Sequence, residues 1–276
     1  MFGTVVPINH RLYSQTARES SSPMKRPVRT PWLAAAVVAS VWAVVPHQAM
    51  AQTGSGDGFL FHVPRASLSF RLGLARPSAD SKVFEFTSDK LTVGRGGFTG
   101  FSAAADLDFN IFRRLAFQMG AAVSARETGS EYRDFVDNDD LPIEQTTMFR
   151  RAPVTAGLKL YLTSPGRSVG TLAWVPSKVV PYLAGGAGVM YYAFRQSGDF
   201  VDFENLDVFP STLESSGWTS VAYGSAGVSY SLSARMGLVT EARYDRANAR
   251  MGADFQGFDR IDLSGLSLST GLHLRF

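Results

Sequence analysis

The 276-residue chain contains no cysteine, which excludes disulfide bridges and thiolate chemistry and leaves no sign of a cysteine-ligated zinc site. Histidine is scarce: beyond residue 51 only His62 and His273 remain. Charged residues make up 18% of the chain, and within the patterned segments they are scattered singly and balanced in sign. Beyond residue 51 no apolar run approaches the ~20 residues of a membrane-spanning helix. No sustained 3.6-residue stripe occurs there either. Helical membrane proteins and helical bundles are thereby set aside.

The one strong apolar stretch comes early, in "MKRPVRTPWLAAAVVASVWAVVPHQAMAQ". Lys25, Arg26 and Arg29 form a basic head, residues 32–45 are uncharged and apolar, and Ala49-Met50-Ala51 offers a small-x-small cleavage site. The stretch is too short to cross ~30 Å of hydrocarbon. Residues 24–51 are therefore expected to be a signal peptide cut after Ala51, rather than a membrane anchor. Met24 stands directly before the basic head, and residues 1–23 read as a gene-model extension or a disordered leader. Removal of 51 residues takes away Arg11, Arg18, Lys25, Arg26, Arg29 and Glu19, leaving 22 basic residues against 23 acidic ones. The pI near 9.2 belongs to the precursor, so nothing electrostatic supports nucleic-acid binding.

What is abundant is alternation with period two, the mark of strands with unlike faces. "SLSFRLGLAR" sets Leu68, Phe70, Leu72 and Leu74 against Ser67, Ser69, Arg71 and Gly73. "GFSAAADLDFNI" sets Phe101, Leu107, Phe109 and Ile111 against Ser102, Asp106 and Asp108. "LAFQMGAAVSAR" sets Phe117, Met119 and Val123 against Gln118, Ser124 and Arg126. "VTAGLKLYL", "TSVAYGSAGVSYSLS", "MGLVTEARYD" and the terminal "GLSLSTGLHLRF" repeat the pattern, while "VPYLAGGAGVMYYAFR" is strand-like with ambiguous faces. About eight such segments are joined alternately by tight turns (110–115 and 232–237) and long polar connections (77–97, 127–147, 196–217 and 246–259). Short turns at one end and long loops at the other are the pattern of outer-membrane barrels. Residues 163–181 depart from it, being long on the short-turn side, and extra strands hidden there would raise the count to ten.

The expected fold is all-β: a closed antiparallel transmembrane β-barrel over residues 66–276, preceded by the cleavable signal peptide and a periplasmic segment at 52–65. Closure follows because unpaired backbone groups are costly in hydrocarbon, so an open sheet edge is excluded. A soluble β-sandwich also alternates, but its outward face would be richly charged, whereas these polar faces are Gly, Ser and Ala with isolated charges. On this register Arg71, Arg126, Lys159, Arg243 and Arg275 face inward together with Asp106, Asp108, Glu241 and Asp245. Eight strands enclose just enough room for their own side chains. These charges are therefore expected to form a lumen ion-pair network, with a proton or ion path as the alternative. Trp218, Tyr191, Tyr192, Phe194, Tyr230, Tyr244 and Phe276 fall near strand ends, where aromatic girdles form. In the acidic stretch "ETGSEYRDFVDNDDLPIEQ", Asp137, Asp139 and Asp140 offer calcium-type oxygen donors without the Gly and Glu of an EF-hand loop. A solvated acidic loop is the plainer reading.

The "AMAQ" junction, the strand "PYLAGGAGV" and the ending "LSLSTGLHLRF" resemble the small outer-membrane β-barrel-domain family, in the style of OmpA-like, OmpW-like and opacity-type barrels. That resemblance, over about residues 66–276, implies a place in the bacterial outer membrane, in contact with its lipid and lipopolysaccharide. It also implies that Leu268, Leu272, Leu274 and Phe276 form the signal read by the barrel-assembly machinery, and it calls for no cofactor. The expected role is non-enzymatic, envelope-structural or surface-interacting, through long loops on a rigid scaffold. A narrow channel for small or hydrophobic solutes is the alternative. A lipid-modifying enzyme is a further one, because His273 shares the inward face with Ser267 and Ser269 beside Glu241. Serine is abundant on every inward face, which weakens that constellation.

Overall fold

A computed structural model of the chain describes residues 58–136, 141–170, 173–201, 208–258 and 260–276. The extension at 1–23, the signal peptide with Ala49 and Ala51, and the triplet Asp137, Asp139 and Asp140 lie outside the described residues. The strands are β1 (Ala66–Pro77), β2 (Gly100–Phe112), β3 (Leu115–Val136), β4 (Pro142–Tyr161), β5 (Gly166–Val169), β6 (Ala173–Pro176), β7 (Val179–Val201), β8 (Val208–Ser231), β9 (Met236–Arg250), β10 (Arg260–Asp262) and β11 (Gly265–Arg275).

Eight of these strands form the cylinder, each antiparallel to its neighbours in the order β1-β2-β3-β4-β7-β8-β9-β11. The ring closes where β11 pairs with β1, from Ser67 opposite Arg275 to Pro77 opposite Gly265. Residues 163–181 do not add staves. They hold β5 and β6, which pair with each other and not with the ring, and Trp174 bridges the backbone of Leu60 through bonds of 2.8 and 2.7 Å.

The two faces of each stave differ as the alternation requires. On β1, Leu72 is 71% exposed while Arg71 is 2% exposed; on β11, Leu266, Leu268, Leu272 and the following Phe276 stand outward and His273 and Arg275 are buried. An outward apolar surface around a polar interior suits lipid, not water. β1 and β11, with 12 and 11 residues, match the ~9–11 residues of a tilted membrane-crossing strand. β3, β4, β7 and β8 run for 22, 20, 23 and 24 residues and so project well past the bilayer. Much of what the sequence offered as loop at 127–147 and 196–217 is thus continuous strand.

The connection from β1 to β2 carries a helix, α1 (Lys82–Lys90), and a 3-10 turn at Arg95–Phe98. Glu85 in the first turn and Lys90 in the last complement the helix dipole. Val83, Phe84 and Thr87 lie on one face, which is buried against the barrel mouth.

Candidate functional site

The middle of the lumen is cross-braced by charge. Arg71 on β1 reaches Asp106 on β2 at 2.6 Å and Glu241 on β9 at 3.0 Å, both across buried side chains. Lys159 on β4 reaches over β3 to Asp108 on β2 at 2.8 Å, with both side chains 0% exposed. Ser67 adds a hydrogen bond to the same Asp108 oxygen, and the Lys159 ammonium lies 4.2 Å from the Tyr182 ring centroid. Tyr182 on β7 donates to the second Glu241 oxygen at 2.9 Å. Arg243 bonds Asp245 on its own strand, stacks on Tyr223 and reaches Thr155 on β4. Tyr223 in turn donates to Gln118 on β3. Most of the links join strands two or three places apart in the ring, and charges withdrawn from water are tolerable only when paired in this way.

Small residues make room for these groups. A Cβ on Gly120 would collide with Asp106 Oδ1, and one on Gly227 would collide with the Tyr182 hydroxyl.

Two inward arginines differ from the sequence expectation. Arg126 keeps the inward parity but is exposed, and its Nε donates to Gly97 O and Thr128 Oγ1 rather than to a carboxylate. It stands too high on β3 to meet Asp106 or Asp108. Arg275 is buried but pairs with Ser231 Oγ at 2.8 Å and the carbonyls of Ser233 and Ala234, fastening the last stave to the β8–β9 turn. Arg151, absent from the sequence-derived network, is buried and donates to Leu263 O at 2.8 Å. Continuing the inward parity of Lys159 and Thr155 by four more residues would have found it.

Above the charged layer the interior turns apolar. Phe84 of α1 packs its ring 5.0 Å from Phe98, 5.4 Å from Phe149 and 5.7 Å from Phe194, and Phe255, Ile261 and Leu263 from the β9–β11 connection complete a plug. Tyr192 and Phe194 therefore belong to this core and not to a lipid girdle. Trp218, 65% exposed, and its neighbour Tyr191 do occupy the outer surface, as do Tyr230, Tyr244 and Phe276. Burial holds the Tyr132 phenol in the plug above its ordinary value.

One place in the wall is thin. The β3–β4 ladder omits two rungs, where Ala122 and Val123 face Ala152 and Pro153. Proline has no N–H to give to a ladder. A cavity of about 40 Å³ lies behind the gap, lined by Ala122, Ser124, Pro153, Arg71, Glu241 and Arg243 among others. That volume holds about three waters at most.

The His–Ser–Glu grouping does not assemble as a triad. His273 Nδ1 is 3.0 Å from Ser69 Oγ, while Ser269 accepts from Arg71 and both Glu241 oxygens are engaged by Arg71 and Tyr182. Among the described residues no group of three or more His, Asp or Glu could hold a metal ion.

No protein-family model matches the chain, and no curated protein matches it. Among solved structures, Neisserial surface protein A is similar at 16% identity and a TM-score of 0.39, covering 76% of this chain and 96% of that one. The outer membrane protein OprG of Pseudomonas aeruginosa is similar at 15% identity and a TM-score of 0.43, covering 79% and 99%. The outer membrane protease OmpT of Escherichia coli is similar at 11% identity and a TM-score of 0.41, covering 79% and 98%.

Proposed function

We propose that this chain is a non-enzymatic bacterial outer-membrane barrel serving envelope stabilisation or surface contact through its projecting β3–β4 and β7–β8 hairpins. The observation that carries this reading is the occlusion of the lumen: an apolar plug seals the mouth above a layer of crossed ion pairs. Lipopolysaccharide surrounds the upper wall in this reading. The barrel-assembly machinery reads the terminal strand, whose Leu268, Leu272 and Phe276 face outward and whose Leu274 is half-buried.

A second reading, passage of small or hydrophobic solutes, draws on the interrupted β3–β4 ladder beside the cavity. Planar-bilayer recording of the refolded protein separates the two. Silence is the expected result, and discrete, reproducible openings would transfer the assignment to the second. Fractionation with unheated gel mobility tests the location: a detergent-free monomer in the periplasm would overturn both readings.

A further inference from the structure

Every charged side chain described at the turn end of the barrel is basic. Among the described residues this end carries exposed Arg65, Arg113, Arg114, Arg167, Lys178 and Arg235, and no Asp or Glu side chain. The other end mixes signs, with Asp80, Glu85 and Glu144 beside Lys82, Arg95 and Arg195. Every one of the six basic residues lies within two positions of an exposed apolar side chain: Val63, Phe112 (69% exposed), Val169, Val179 or Met236. They are spread over the segment before β1 (Arg65), the β2–β3 turn (Arg113 and Arg114), the β4–β7 connection (Arg167 and Lys178) and the β8–β9 turn (Arg235). Lys178 is drawn to the outer surface, with its ammonium 5.0 Å from the Tyr230 ring centroid.

A basic group directly beyond the lipid-facing row sits at headgroup depth, its stem along the apolar surface and its charge at the phosphate level. We infer that this rim binds the anionic phospholipids of the inner leaflet, the phosphates of several headgroups being shared among the six cations. The inference rests on the membrane-barrel reading. A soluble polyanion would need a concentrated patch, whereas these charges are spread around a circumference and four of them, Arg113, Arg114, Lys178 and Arg235, lie within two positions of an outward apolar residue on a stave: Phe112, Val179 or Met236. That distribution fits an annulus of lipid. Basic groups near an anionic surface attract it additively, and salt screens the attraction.

The test uses the refolded barrel in mixed micelles holding equal amounts of phosphatidylglycerol and phosphatidylcholine with matched acyl chains. Native mass spectrometry counts the bound lipids. Wild type is expected to retain phosphatidylglycerol preferentially. The triple variant Arg113→Gln/Arg114→Gln/Lys178→Gln should lose most of that preference, on the order of a hundredfold at ~1 kcal/mol per charge, with its unheated gel mobility still that of a folded barrel. The mouth variant Arg95→Gln/Arg195→Gln should keep it. Should the triple variant fail to fold, wild type decides alone: the preference must collapse at about 1 M salt, where the Debye length is ~3 Å. Equal retention of the two lipids by wild type, an unchanged preference in a folded triple variant, the same loss in the mouth variant, or a preference indifferent to salt overturns the inference. A barrel that runs as folded yet shows no preference defeats this inference alone, whereas the location reading fails only on fractionation.

Discussion

Thr270 interrupts the apolar row of the last strand and faces outward, directly opposite Thr240 on β9. Their hydroxyls lie 3.0 Å apart, and Thr270 Oγ1 also reaches Val239 O at 3.2 Å. A break in the pattern is thus a satisfied pair, which is how a polar group persists against hydrocarbon. The same logic sets the risk at Lys159. Its ammonium and Asp108 have no access to water, so Lys159→Met should strand a buried carboxylate and cost about 3–5 kcal/mol. Adding Asp108→Asn should recover most of that loss in urea unfolding read by gel mobility; a double variant as weak as the single one would show that packing, not charge, is at stake. Parity in the sequence was enough to turn Arg71, Lys159, Glu241 and Arg243 inward. It was not enough to pair them, because parity carries no height. Arg126 has the right parity and the wrong level.

At the level of the strand, the alternation inverts at the membrane surface. On β4, Leu158 and Leu160 face out while Lys159 faces in, but higher up Ile143 and Phe149 face in while Glu144 and Arg150 face out. The lower half meets lipid outside and a polar lumen inside; the upper half meets water outside and an apolar plug inside. A template with one fixed polarity therefore recognises the membrane half of β3, β4, β7 and β8 and reports the rest as loop. β7 was ambiguous for the same reason, since its inward face passes from Tyr182 through Gly186 and Gly188 to Met190, Tyr192 and Phe194. β1 and β11, short enough to stay within the bilayer, keep one polarity and were legible from end to end. Pro153 sits near this changeover, at the two missing rungs of the β3–β4 ladder. Pro153→Val returns an N–H at that point, and hydrogen exchange at the amides of Ala122 and Val123 should slow if the gap is proline's doing. Unchanged exchange would assign the gap to the small side chains around it.

Across the whole molecule, the plug and the charged layer are two seals in series, built from different residues and different forces. Apolar packing holds the upper one, where Phe84 and Phe98 anchor the α1 connection to Phe149 and Phe194. Crossed ion pairs hold the lower one, with Arg243 tied to Asp245, Tyr223 and Thr155. Barriers in series conduct only when both are breached. Arg243→Leu should therefore destabilise the barrel yet remain silent in a planar bilayer, and Phe84→Ala/Phe98→Ala should remain silent as well. Openings should need the crossed pairs removed as well, as when Arg71→Leu and Lys159→Met join Phe84→Ala/Phe98→Ala, because Arg243→Leu leaves both of those pairs across the lumen. A large conductance from Arg243→Leu alone would mean that the charged layer is itself the gate of an ion path and that the plug is permeable, which no purely structural account of the lumen could accommodate.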